Sequence, residues 1–153
     1  MALYSTGYRN AAAAAALGTL PDAPIMDGCV IMMYAGARPE TADAALGAAV
    51  LLVTYSLNGS GDPLAWGDTA GGSISKVVGD VWSGNAVASG TPTFFRYQLP
   101  DDDGTESTTA VRIQGKVGLI SDPTADLALS TMAIVNGAPQ TIDAASATVP
   151  ASI

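Results

Sequence analysis

Apolar residues along this chain fall into short blocks of strand length, separated by Gly, Pro and Asn. Cys29-Val30-Ile31-Met32-Met33-Tyr34 is a continuous apolar run closed by Ala35-Gly36, the pattern of a strand covered on both faces. Residues 48–57 (AAVLLVTYSL) form the next block, closed by Asn58-Gly59. That pair is a turn signal, because both residues tolerate positive φ. Shorter blocks at 64–66 and 73–78 lie in a Gly-rich stretch. Residues 81–89 and 93–99 read as a strand pair joined by Gly90-Thr91-Pro92. In the second of these, Phe94, Arg96 and Gln98 share one face, opposite Phe95, Tyr97 and Leu99. Residues 108–117 alternate, with Val111, Ile113 and Gly115 on one face and Arg112, Gln114 and Lys116 on the other, as in a half-buried strand. Residues 126–133 and 140–149 complete the series, separated by Asn136-Gly137-Ala138-Pro139. Short strands at this spacing predict a mainly β fold, an antiparallel sandwich of jelly-roll-like type. Nothing alternates long helices with strands, which argues against a doubly wound α/β fold.

The strong helix signal lies at the start. Residues 11–16 are all alanine, the best helix former, with Thr6 or Asn10 as candidate N-cap and Gly18 as candidate stop. The run has no amphipathic pattern, and a short helix is marginal alone. It packs either on its own domain or on a neighbouring subunit. The expected organisation is an N-terminal arm or helix over residues 1–20 and one β-sandwich domain over 21–153. An arm of that kind predicts that removing residues 1–20 leaves the domain folded and abolishes assembly.

Composition narrows the partners. With 153 residues the chain suits one domain that removes roughly 70% of its unfolded surface from water. Charged residues make up only 13%, about half the usual share of roughly 25%. A surface so poor in charge suits constant contact with neighbours; a GC-rich coding bias toward Ala and Gly gives the same composition. Net charge is −8, and the six basic residues are scattered. No basic stripe exists for nucleic acid or for an anionic membrane, and no apolar run reaches the ~20 residues of a membrane span.

The candidate chemistry is sparse. The chain has no histidine and a single cysteine, which removes the commonest general base, a Ser–His–Asp triad and a Cys/His zinc site. Cys29 lies in the most apolar block, where a thiol behaves as a small hydrophobe. No phosphate-cradling glycine motif is present. Asp101, Asp103 and Glu106 around Gly104 offer oxygens of the kind calcium takes, but an acidic turn between strands is the ordinary case, and no metal or cofactor is expected. Trp66 and Trp82 are candidate interface or sugar-stacking residues, with core packing as the ordinary alternative. No catalytic set emerges, and a binding role is expected.

The opening Leu3-Tyr4-Ser5-Thr6-Gly7-Tyr8-Arg9-Asn10 resembles that of a family of uncharacterised phage and prophage proteins. So do Met33–Ala45 (MYAGARPETADAA), Trp82–Thr91 (WSGNAVASGT), Phe95-Arg96 and Arg112–Gly118 (RIQGKVG). The resemblance runs through most of the chain. Residues 140–149 depart from it, being richer in alanine than the alternating Thr-containing strand that closes the family. It implies a virion structural protein and brings no catalytic residues. The expectation that follows is a non-enzymatic capsid decoration or cement protein, made in the host cytoplasm and placed on the capsid surface. It binds the major capsid protein or other virion proteins and forms a homo-oligomer. Tyr4, Tyr8, Arg9, Trp66 and Trp82 are its candidate contact residues. A tail or head–tail component and a host-surface carbohydrate-binding module are the alternatives.

Overall fold

A computed structural model describes residues 1–18 and 24–148. The last two residues of the expected arm, the expected start of the domain at 21–23 and Val149 of the last expected strand lie outside the described residues. The chain is mainly β, with antiparallel sheets and one N-terminal helix. In order it forms β1 (Leu3–Tyr4), α1 (Thr6–Leu17), β2 (Val30–Ala35), β3 (Val50–Leu57), β4 (Ser73–Ser75), β5 (Trp82–Asn85) and β6 (Phe94–Gln98). It continues with β7 (Ile113–Leu119), β8 (Leu127–Leu129), β9 (Pro139–Ile142) and β10 (Ser146–Thr148). The main sheet runs β1-β7-β6-β2-β3-β5-β9, with β8 added in parallel to β7, and β10 pairs with β4 in a small second sheet.

Strand β2 is central because its all-apolar run leaves it no solvent face. It pairs with β6 on one side and β3 on the other, with a bulge between Met33 and Tyr34. On one face of the sheet Ile31, Met33, Val53, Tyr55, Trp82, Tyr97 and Val117 form a dry core with Leu64, Ile134 and Ile142. Each such side chain contributes about 1.5–3 kcal/mol of transfer free energy. The opposite face is also covered. Arg96, Gln98 and Gln114 are wholly buried there, under the connections 36–46 and 100–110.

Local chemistry explains where the strands differ from the sequence pattern. Residues 108–112 are not strand: the Ser107 hydroxyl accepts from the Thr109 and Ala110 N–H groups and folds this stretch into a turn, so β7 starts at Ile113. Strands β5 and β6 do not pair with each other across Gly90-Thr91-Pro92; β5 lies between β3 and β9, and β6 between β2 and β7. Residues 64–66 form no strand, since Leu64 bonds to Cys29 and Trp66 makes a single bridge to Lys76. The block 140–148 divides into β9 and β10, which join different sheets. At Asn58-Gly59 both φ angles are positive, 55° and 66°, and the tight turn returns the chain so that the Leu57 N–H donates to Asp62.

Candidate interaction surface

The polar face of the sheet holds the N-terminus in place. Arg112 donates to both oxygens of Asp102, each at 2.6 Å, and to the carbonyl of Thr105 at 2.9 Å. Its other amino group reaches the carbonyls of Ala42 and Asp43. Arg96, likewise buried, donates to Gln114 Oε1 at 2.9 Å and to the Ala44 carbonyl at 2.7 Å. Gln114 donates in turn to the Pro39 carbonyl at 2.8 Å. Two guanidinium groups thus pin residues 39–44 and 102–105 over the sheet. Burial lowers the pKa of Arg96 to about 10, with the neighbouring Arg112 charge adding to the effect. Burial alone would raise Asp102, but the bonds from Arg112 and the Gly104 N–H outweigh it and hold the carboxyl below its ordinary range.

This layer presents Asp43 and the carbonyls of Thr109 and Ala110 to the start of the chain. Leu3 and Tyr4 add to β7 opposite Gln114 and Ile113. Ser5 is fully buried; its N–H donates to the Arg112 carbonyl at 3.0 Å, and its hydroxyl donates to the Ala110 carbonyl at 2.8 Å. The same hydroxyl accepts from the Arg112 N–H at 2.9 Å and from the Tyr8 N–H at 3.0 Å, which makes Ser5 the N-cap of α1. The N–H and hydroxyl of Thr6 donate to the two oxygens of Asp43 at 2.7 and 2.6 Å. Burial pushes Asp43 up, yet these Thr6 bonds and the nearby Arg9 and Arg112 charges bring it below the usual value. Gly7 packs so closely on the Thr109 and Ala110 carbonyls that a Cβ there has no room.

Beyond this anchor the helix is half-buried at Tyr8, Ala11, Ala12 and Ala15 and exposed elsewhere. Gly7 is its only buried residue, and Leu17 is 93% exposed. Tyr4, 49% exposed, stacks on Tyr8 with ring centroids 4.8 Å apart. The exposed guanidinium of Arg9 donates to the Thr6 hydroxyl at 2.9 Å. Three of the expected contact residues, Tyr4, Tyr8 and Arg9, are therefore brought together at the root of a helix whose remaining residues, 10–17, carry no charge.

The two tryptophans lie elsewhere and face inward. Trp82 has no exposed surface, a correction to its expected place among contact residues. Trp66 is half-buried, meets Trp82 edge-on at 5.0 Å and donates its indole N–H to the Tyr97 hydroxyl at 2.9 Å. Both rings are engaged with the core, which leaves no flat aromatic platform at Trp82 for a sugar.

The acidic turn is also put to structural use. Asp102, rather than its neighbours, carries the ion pair, and Asp103 accepts from the N–H and hydroxyl of Thr105. Asp101, Asp103 and Glu106 are exposed and do not converge, and among the described residues no group of three or more metal-ligating side chains comes together. The weak calcium candidates of this turn are therefore not brought together. Cys29 is buried, and burial pushes its thiol up to about 12, so the reactive thiolate form is suppressed. A shallow depression beside β7, bordered by Pro92, Leu119 and Met132, has its two charges, Lys116 and Asp122, paired with each other at 2.7 Å. Among the described residues no helix is long and apolar enough to cross a membrane.

Sequence reasoning missed Ser5, Gly7, Asp43, Arg96, Arg112 and Gln114 as parts of one constellation. A signal was present: alternation puts Arg96 with Gln98, and Arg112 with Gln114, on single faces of strands. A stripe of long polar side chains reads as a solvent face until the two connections that cover it are placed. The chain matches no protein-family model, no curated protein and no solved structure.

Proposed function

We propose that this chain is a non-enzymatic virion structural protein that decorates the capsid, docking on the lattice of the major capsid protein through α1 and the Tyr4–Tyr8 stack. The observation that carries the reading is a helix anchored at its first turn, half-buried at Tyr8, Ala11, Ala12 and Ala15 and otherwise exposed from Arg9 to Leu17. A helix of twelve residues is marginal in water on propensity alone, since helices in proteins draw most of their stability from a packed face. An alanine surface ending in an exposed leucine gains that stability by being covered. Small side chains allow a close approach over a broad area, and the stacked tyrosines supply rigid, amphipathic contact area at the helix root. The resemblance in residues 3–10, 33–45, 95–96 and 112–118 supports a phage particle as the setting. Repeated weak contacts across a lattice raise occupancy without demanding a strong single site.

Quantitative mass spectrometry of purified particles, scaled to the major capsid protein, tests this. Hundreds of copies per particle are expected. A handful of copies places the protein in the tail or at the portal vertex and rejects capsid decoration. Absence from particles rejects the virion reading altogether.

A further inference from the structure

Residues 3–7 occupy a site that is complete without any contribution from the chain next to them. Their partners are Asp43, thirty-seven positions from Thr6, and the 109–114 stretch, with Ser5 bonded across 105 positions to Ala110 and across 107 to Arg112. The site is selective. It pairs two strand residues, takes a small hydroxyl at position 5 into full burial and clamps a second hydroxyl at position 6 with a carboxylate. At position 7 it admits only a glycine. The ligand that satisfies all of these is the sequence Leu-Tyr-Ser-Thr-Gly of this same protein. After that segment, no residue from Tyr8 to Leu17 is buried. Beyond Gly7 the helix thus has no fully buried residue, only the half-buried Tyr8, Ala11, Ala12 and Ala15, to fix which copy's site its own N-terminus fills.

We infer that residues 3–7 are an exchangeable plug and that the site formed by Asp43 and residues 109–114 accepts the plug of a second copy of this chain, linking copies head to body. Exchange preserves every hydrogen bond of the docked state, so the cis and trans forms differ mainly in the entropy of the tether and in concentration. Crowding on a repeating surface raises the local concentration toward the range where trans filling competes. The inference does not depend on which protein lies beneath, and its failure leaves the proposed function standing.

The test uses the full chain carrying Tyr4→Cys and Ile113→Cys, which replace directly opposed residues of β1 and β7. Opposed strand positions have Cβ atoms about 4.5–5.5 Å apart, within reach of a disulfide after small adjustment. Two differently tagged preparations are mixed at high concentration, incubated, oxidised and separated without reductant. Disulfide-linked dimers and larger species containing both tags are expected, with a shift back to single chains on dilution before oxidation. Cross-links confined to single chains at every concentration overturn the inference. The unmodified chain supplies a second readout by size exclusion with light scattering. Oligomers that dissociate when a synthetic peptide of residues 1–10 is added support exchange. A chain that stays monomeric at high concentration, or oligomers indifferent to the peptide, overturn it whether or not the disulfide forms.

Discussion

Arg112 and Asp102 form an ion pair with side-chain exposures of only 1% and 9%. Removing one partner of such a pair leaves an uncompensated buried charge, which costs about 3–5 kcal/mol. Asp102→Asn is therefore expected to lower unfolding free energy by about that amount in urea titration. The loss is sharpened because Arg96, with no carboxylate bonded to it among the described residues, lies in the same layer. Asp103→Asn and Glu106→Gln, a few residues away but exposed, are expected to leave the unfolding free energy nearly unchanged. Equal losses at all three positions would mean that the turn acts as one charge cluster rather than through a single pair. Gly7 gives a second test at this scale. In an open helix, Gly→Ala stabilises by ~0.5–1 kcal/mol. Here the added Cβ meets the Ala110 carbonyl oxygen at 2.5 Å, so the sign reverses. Gly7→Ala is expected to lose hydrogen-exchange protection at the Tyr8 and Arg9 amides, whereas an increase would show that the plug relaxes to admit it.

At the scale of elements, the separation between anchor and helix makes a prediction that a packed helix would not. Proline inside a helix costs about 3 kcal/mol or more. Ala14→Pro is expected to abolish the helical signal of α1 in circular dichroism, leave the melting temperature of the β domain unchanged and reduce binding to particles. A fall in melting temperature would show that α1 is part of the core. The helix itself was legible from its alanine run, and β2 and β3 from continuous apolar blocks, because those signals are local. The pairing partners of β5, the division of residues 140–148 and the start of β7 were not. Each depends on contacts distant in sequence or on a side chain, Ser107, that competes with the ladder for backbone groups. The contact residues divided in the same way. Tyr4, Tyr8 and Arg9 share a surface because the chain turns from β1 into α1 at the Ser5 cap and stacks the Tyr4 ring on that of Tyr8. Trp82 went inside because its neighbours in β3 and β9 cover it, which periodicity alone does not show. Residues 3–7, 39–44, 96 and 112–114 meet in the layer of Arg96, Arg112 and Asp43. A structural role in holding the N-terminus accounts for those residues without any chemistry.

For the molecule as a whole, that layer sets the response to acid. The groups facing it are Arg96, Arg112 and Asp102, with Asp43 and Arg9 at its rim. Both carboxyls are depressed in the folded state. Their contribution is therefore present above the unfolded value of about 3.9 and is lost as pH falls through the lower folded values. As it is lost, two buried guanidinium groups come to share a space without a counter-charge. Arg96 cannot relieve this by losing its proton, since even its lowered value of about 10 lies far above that range. Unfolding in acid is thus expected to be cooperative, with the β domain and the docked N-terminus lost together below about pH 4. Replacing the pair by apolar groups of similar size, Asp102→Leu with Arg112→Met, removes both the counter-charge and one of the charges it compensates. Such swaps are often neutral or stabilising, so at neutral pH the double variant is expected to match or exceed the stability of Asp102→Asn. Below pH 4 its stability should fall less steeply than that of the parent chain. Stability measured by urea titration at a series of pH values checks both points. An unchanged slope in the double variant would place the acid-sensitive charge away from the Arg112–Asp102 pair, at Asp43 under Thr6 or at Asp122 beside Lys116.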